Sequence, residues 1–296
     1  MRDRCLVLSG GGNKIYAMLG AVERLYQDYR YRAFVGTSSG AILALGLRDG
    51  SDAALEATGR MLYAIRRDED VSTGGGWLDL VGVVVGRRPA LRDPSPVLRR
   101  LRAAWDPEAP GVRVRVGAVG LGAGGSRVVD YYAWRFPEWV LASSSVPPWF
   151  PPVELEGDRW VDWGVSDFAA IGAALDMGCR EIDVVLSRPL QRMPEVPPKG
   201  MLATIGRMIG VMSHEVMLGD LREADRRNRL IGAGRPVSAG DEAVRVRVMA
   251  PTPRQYADLP ATRDYLHFDP RKYDAMRAIG RAWPVHSLEA ALELTH

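Results

Sequence analysis

Cysteine is almost missing from this chain: Cys5 and Cys179 are the only two in 296 residues. Two isolated thiols so far apart make no metal-ligand spacing, and they read as free core cysteines rather than a disulfide. Lysine is nearly as scarce, with Lys14, Lys199 and Lys272 alone, so the net charge of +3 rests on arginine. The densest basic stretch, residues 86–105, spaces its arginines around Leu98, Leu101 and Ala104 as on the solvated face of a short helix. That favours no nucleic-acid partner. Long apolar runs are absent too, and nothing approaches the roughly 18 residues that span a bilayer. The first apolar run ends in glycines after about four residues, too soon for a secretory leader, so a cytoplasmic location is expected. Of the four histidines, His214, His267, His286 and His296, none stands in a motif. There is no internal repeat and no low-complexity tail.

What is present is a short unit repeated in kind. "RCLVLS" at 4–9 is a brief apolar run bounded by glycine, as expected of a strand buried on both faces. Ile15, Met18, Leu19, Val22, Leu25, Tyr26 and Tyr29 follow at helical steps. "AFVGTSSGAILALGL" then gives a second strand, a serine turn and a second apolar helix. Strand, turn, helix, strand, turn, helix predicts an α/β fold with a mainly parallel sheet and its turns gathered at the carboxyl edge. Further strands are expected at 112–121, 181–187 and 244–251. Two of these alternate valine with arginine, which suits partly solvated positions near a sheet edge. "FAAIGAALDMGC" reads as a helix stopped by Gly178, and 71–76, 145–152 and 189–200 read as loops.

The glycines at 10–12 admit three chemistries. A dinucleotide fingerprint needs a third glycine where Ile15 stands and a carboxylate after the second strand, where Gly36-Thr37-Ser38 stands. A phosphate P-loop fails because Lys14 lacks the flanking glycine and hydroxyl. Gly36-Thr37-Ser38-Ser39-Gly40 fits G-x-S-x-G, the sharp strand-to-helix turn that raises one serine over the sheet. Ser38 is then the candidate nucleophile, and the loop Gly10, Gly11, Gly12 offers backbone N–H groups to an oxyanion. The base is sought among aspartates: Asp162 lies between the strand-like "RWV" and a helix, where a carboxylate is held rigidly.

These residues resemble the patatin-like phospholipase family. The matching motifs are Gly10-Gly11-Gly12-Asn13-Lys14, the elbow around Ser38, and Asp162-Trp163-Gly164. "ALRDPSPVLRRL" and "LHFDPRKYDAMRAIGRA" are also similar to family segments, so the resemblance covers most of the chain. It implies a three-layer α/β/α fold, one domain over 1–296, and a Ser38–Asp162 dyad that works without histidine. It also implies ester-linked fatty acids of phospholipids or lysophospholipids as substrate, an acyl-enzyme, no cofactor and no metal, and peripheral contact with a membrane. The chain departs from the pattern at Ile15 and Trp163, where the family has glycine; a catalytically inactive lipid-binding protein on the same fold, or an esterase for small soluble esters, are the alternatives. A lone carboxylate is a weak base, so Asp162 is expected to be desolvated. Two apolar stretches stand between a lipid-facing role and plain core packing: 74–86, and 201–218 with Met201, Met208, Met212 and Met217.

Overall fold

The computed structural model describes residues 4–109, 111–193, 198–235, 242–259 and 266–295; His296 and part of the expected 189–200 loop lie outside them. The strands are β1 (Arg4–Leu8), β2 (Ala33–Gly36), β3 (Thr73–Gly74), β4 (Arg92–Asp93), β5 (Val114–Gly120), β6 (Ser126–Asp130), β7 (Val153–Leu155), β8 (Asp158–Asp162), β9 (Glu181–Val185), β10 (Arg245–Met249) and β11 (Val285–Ser287). The helices are α1 (Ile15–Asp28), α2 (Ser39–Gly46), α3 (Asp52–Tyr63), α4 (Trp77–Val84), α5 (Ser95–Ala104), α6 (Phe136–Ala142), α7 (Ile171–Asp176), α8 (Met201–Gly232), α9 (Pro253–Asp258), α10 (Tyr273–Arg281) and α11 (Leu288–Glu293).

Nine strands form one sheet, whose centre β10-β9-β1-β2-β5 is parallel throughout. Antiparallel strands extend it at both ends. Both faces of the centre are buried, which is why β1 and β2 read as unbroken apolar runs. On β1, Leu6 and Leu8 enter one layer with α1, α2 and α10, while Cys5 and Val7 enter the other with α7, α8 and α11. The result is the three-layer α/β/α fold. Within the first layer α1 and α10 touch backbone to backbone: a Cβ on Gly20 would sit 2.0 Å from the Arg277 carbonyl oxygen, and one on Gly280 1.8 Å from that of Ala17. Among the described residues, no helix is long and apolar enough to cross a membrane.

Two expectations are corrected. Cys5 and Cys179 form a disulfide, with Cα atoms 6.0 Å apart and both residues fully buried. Cys179 lies two residues before the start of β9, which pairs with β1, so the fold joins residues that are 174 positions apart in sequence. The valine-arginine strand β5 is also not at an edge. Protein partners hold the arginines here: Arg115 donates to exposed Asp130 Oδ1 (2.8 Å) and to the Ala173 carbonyl (3.3 Å), and Arg113, just before β5, donates to the Met177 carbonyl. On β10, Arg247 forks onto buried Asp183 (2.7 and 2.6 Å), which also accepts from Tyr31 (2.6 Å).

The arrangement that positions the site is at β5. β6 covers one edge of β5 from Arg115 to Val119. β2 (at Val114–Val116) and β8 (at Ala118–Gly120) must therefore share the other edge. β2 runs parallel to β5 and β8 antiparallel, so their carboxyl ends meet head to head across Gly117. Gly36 is registered with Val116 and Asp162 with Ala118, two residues or about 7 Å along one strand.

Candidate active site

Where β2 meets β8, the turn after Gly36 carries Ser38. Its backbone is at φ 56, ψ −126, a left-handed region that costs a non-glycine residue about 1–3 kcal/mol and persists only under tight surroundings. Those surroundings explain the small residues of the motif. A Cβ on Gly36 would meet the Gly40 carbonyl oxygen at 2.4 Å, and one on Gly40 the Leu8 carbonyl oxygen at 2.2 Å. The Ser38 N–H donates to the hydroxyl of buried Ser143 at 3.1 Å.

Asp162 ends β8 with its side chain buried. Its Oδ1 accepts from Gly164 N–H at 2.7 Å, and the neighbouring Ser38 side chain also favours the ionised carboxylate. Burial pushes its pKa up to about 6, against the lowering effect of those two neighbours. The carboxyl group is thus desolvated, as its role as a base would require.

The glycine loop lies on the neighbouring strand. The Gly10 carbonyl accepts from Ser187 Oγ and from Ser9 Oγ (3.1 Å), and Ser9 Oγ in turn accepts from Ser187 N–H (2.9 Å). In a planar trans peptide the N–H points opposite to the carbonyl, so this bonding turns Gly11 N–H away from Ser187. A Cβ on Gly11 would lie 2.5 Å from Ser187 Cβ, and one on Gly10 2.9 Å from Ser38 Cβ. Gly12 adopts φ 58 and opens the 3-10 turn Gly12–Lys14 that runs into α1, where leading N–H groups have no carbonyl behind them.

Neither departure from the family pattern is strained. Ile15 is helical (φ −50, ψ −32) and lies in the cavity wall. Trp163 is outside the left-handed region and fully buried on the far side of the sheet, its indole N–H donating to Asp167 Oδ2 at 3.0 Å. The space it needs is supplied by Gly117, whose Cβ would lie 2.2 Å from the indole.

Several supporting residues carry no sequence signal of their own. The Phe168 ring would meet a Cβ on Gly10 at 3.5 Å and one on Gly164 at 3.3 Å, so it packs beneath both the glycine loop and the donor to Asp162. Asp220, on α8, holds that segment by accepting from Phe168 N–H (3.0 Å) and Ala169 N–H (2.7 Å). Burial raises the Asp220 pKa to about 7, with neighbouring Asp167 adding to the effect.

Ser38, Asp162 and the three glycines open into one cavity of about 1040 Å³, at the upper end of ordinary ligand sites. Its walls are mainly apolar, with Ile42, Leu62, Ile65, Leu101, Leu141 and Phe150 among them. Lys14 lines it too, buried, with its ammonium 5.1 Å from the Tyr256 ring. The methionines of α8 divide: Met217 is core, whereas Met201, Met208 and Met212 are exposed, and α8 presents Ala203, Gly206, Ile209 and Gly210 to the cavity. In α4, Leu78 is 80% exposed. Among the described residues no group of three or more histidine, cysteine, aspartate or glutamate side chains could hold a metal ion.

The family model for Patatin-like phospholipase matches residues 6–110, which contain the glycine loop and the Ser38 elbow. The resemblance read from the glycine loop and the serine elbow is therefore borne out, whereas Asp162 and the later segments lie outside the matched residues, and the match supports lipid acyl hydrolysis as the general activity. No curated protein matches the chain. A solved structure, VipD from Legionella pneumophila, is similar over 96% of this chain and 68% of its own, at 12% identity and a TM-score of 0.35.

Proposed function

We propose that the chain, read as one domain over 1–296, is a serine acyl hydrolase that cleaves ester-linked fatty acids from phospholipids or lysophospholipids. One observation carries the reading: a serine in a strained left-handed elbow shares a cavity with, and acts on, a buried aspartate whose pKa is raised to about 6. In the first step Asp162 takes the Ser38 proton as Oγ attacks the ester carbonyl, and the alcohol leaves with that proton. Backbone N–H groups of the Gly10 to Gly12 loop hold the oxyanion, joined by Ser39 N–H at the start of α2. In the second step Asp162 takes a proton from water as the water attacks the acyl-enzyme, then returns it to Ser38 Oγ as that bond breaks and the fatty acid is released. No cofactor or metal takes part.

The size and apolar walls of the cavity support long acyl chains over small soluble esters. The inactive reading drew on Ile15 and Trp163; the relaxed backbone at both supports the active reading over it. Exposed Leu78, Met201, Met208 and Met212 support peripheral contact with a membrane surface. Labelling by a fluorophosphonate tests the nucleophile. The adduct is expected on Ser38 and is lost in Ser38→Ala; a folded protein that stays unlabelled at Ser38 would overturn the reading.

A further inference from the structure

We propose that the same cavity contains an anion subsite for the phosphate of a phospholipid, centred on Arg188, so that phosphate-bearing lipids are selected over neutral glycerides; this rests on the acyl hydrolase reading above. Among the described residues the cavity wall carries five cations, Lys14, Arg92, Arg100, Arg188 and Arg207, and a single carboxylate, Asp162. The wall therefore carries a net positive charge, which favours an anionic occupant over a neutral one.

The five are not equivalent. Arg100 is ion-paired with Asp70 at 3.7 Å, and Arg92 donates to Ser72 Oγ at 3.4 Å. Arg188 has no carboxylate partner among the described residues. It donates to the Gly210 carbonyl of α8 and lies 5.4 Å over the Phe168 ring. Those contacts fix the guanidinium plane while leaving donors of its fork for a ligand, the geometry that suits phosphate.

Position ties this cation to the reacting atoms. Arg188 follows Ser187, which touches Gly11, and it shares Phe168 with Gly10, itself against Ser38. Yet no cation is among the groups that set the Asp162 pKa, so the arginines are not the counter-ions of the dyad. A ligand whose anion lies a few bonds from its ester meets both conditions. Two further observations agree. His214 is held toward its neutral form by burial and by Arg188, with Arg192 and Arg207 adding to the effect and Glu215 opposing it, which marks a positive field at this wall. The Ser39 hydroxyl, 5% exposed and in the cavity wall beside Ser38, makes no hydrogen bond among the described residues. A polar ligand atom would satisfy it.

The test is binding by the full-length Ser38→Ala protein, below the micellar range, of 1-palmitoylglycerol 3-phosphate and of 1-palmitoylglycerol, which differ only in the phosphate. The phosphate ester is expected to bind at least about tenfold tighter. Arg188→Gln in that background is expected to bring it down to the neutral lipid, with the neutral lipid changed less than about twofold. Arg188→Lys, which keeps the charge but loses the fork, is expected to fall between. Equal affinities, a preference that survives Arg188→Gln, or no binding of either lipid would overturn the subsite. Competition by glycerol 3-phosphate as strong as by the lipid would also overturn it, since the ligand would then be a free phosphate ester. Failure of the wild-type protein to release fatty acid, with the phosphate preference intact, would remove the hydrolase reading and leave the subsite standing.

Discussion

The floor and the roof of the cavity are built on opposite terms. The floor, made of the glycine loop, the Ser38 elbow and the end of β8, is buried and tolerates almost no added atom: hypothetical Cβ positions at Gly11, Gly36 and Gly40 fall 2.2–2.5 Å from fixed neighbours. The roof, made of the first half of α8, presents Met201, Met208 and Met212 to the outside and mostly small groups, among them Ala203, Gly206 and Gly210, to the cavity. A rigid floor holds a reacting geometry, while a soft apolar roof suits ligands that arrive from a lipid surface.

The difference is sharpest at Gly11. Gly11→Ala must displace Ser187 or the loop, and it is expected to lower kcat about 100- to 1000-fold, as loss of an oxyanion donor does, with an unchanged circular dichroism spectrum. Activity within tenfold of the parent would detach the loop from the chemistry. Next in size is Gly117→Ala, expected to cost about 2–3 kcal/mol of stability because it drives a methyl group into the Trp163 indole. In a Trp163→Gly background the same change is expected to cost less than about 1 kcal/mol. An additive double mutant would show that the two positions do not compensate each other.

Asp162 connects the floor to pH. Its pKa rises from 3.8 to about 6 on folding, so the fold favours the protonated form. Below about pH 4 there is no penalty; above about pH 6 the full cost of ionising a buried carboxyl, up to about 3 kcal/mol, is present. Asp162→Asn is therefore expected to raise the unfolding free energy by about 1–3 kcal/mol at pH 8 and to leave it unchanged at pH 4. In the parent, kcat/KM is expected to climb with pH through about 6 and then level, because only the ionised carboxylate accepts the Ser38 proton. A rate flat from pH 5 to 8 would deny Asp162 that role. The smallest effect belongs to the exposed apolar residues of α4 and the roof: Leu78→Asp with Met208→Asp is expected to change stability by less than about 0.5 kcal/mol and soluble-ester turnover little, while weakening attachment to phospholipid vesicles. Unchanged attachment would move the membrane contact elsewhere.

The floor was legible in the sequence because its chemistry is local. Gly36, Ser38 and Gly40 fall within five residues, and the strands beside them are apolar runs with short turns. What stayed hidden is non-local. The pairing of β5 with β2 and β8 along one edge joins residue 36 to residue 162, and no periodicity reports it. Strands β6 and β7 are short and in part exposed, so they lack an apolar run. The Cys5–Cys179 disulfide and the Asp220 carboxylate beneath Phe168 depend on which strands and helices become neighbours. How Trp163 is accommodated where the family has glycine is equally non-local, because Gly117, which makes room for it, is 46 positions upstream. The α8 methionines read equally as core or as lipid-facing, since the pattern marks an apolar face without saying what covers it.

The most direct test is fatty-acid release from mixed phospholipid vesicles by the parent protein beside Ser38→Ala and Asp162→Asn, each checked for folding. Release by the parent and its loss by at least about 1000-fold in both variants is the result predicted from the Ser38–Asp162 pair. Release that persists in either folded variant would contradict it.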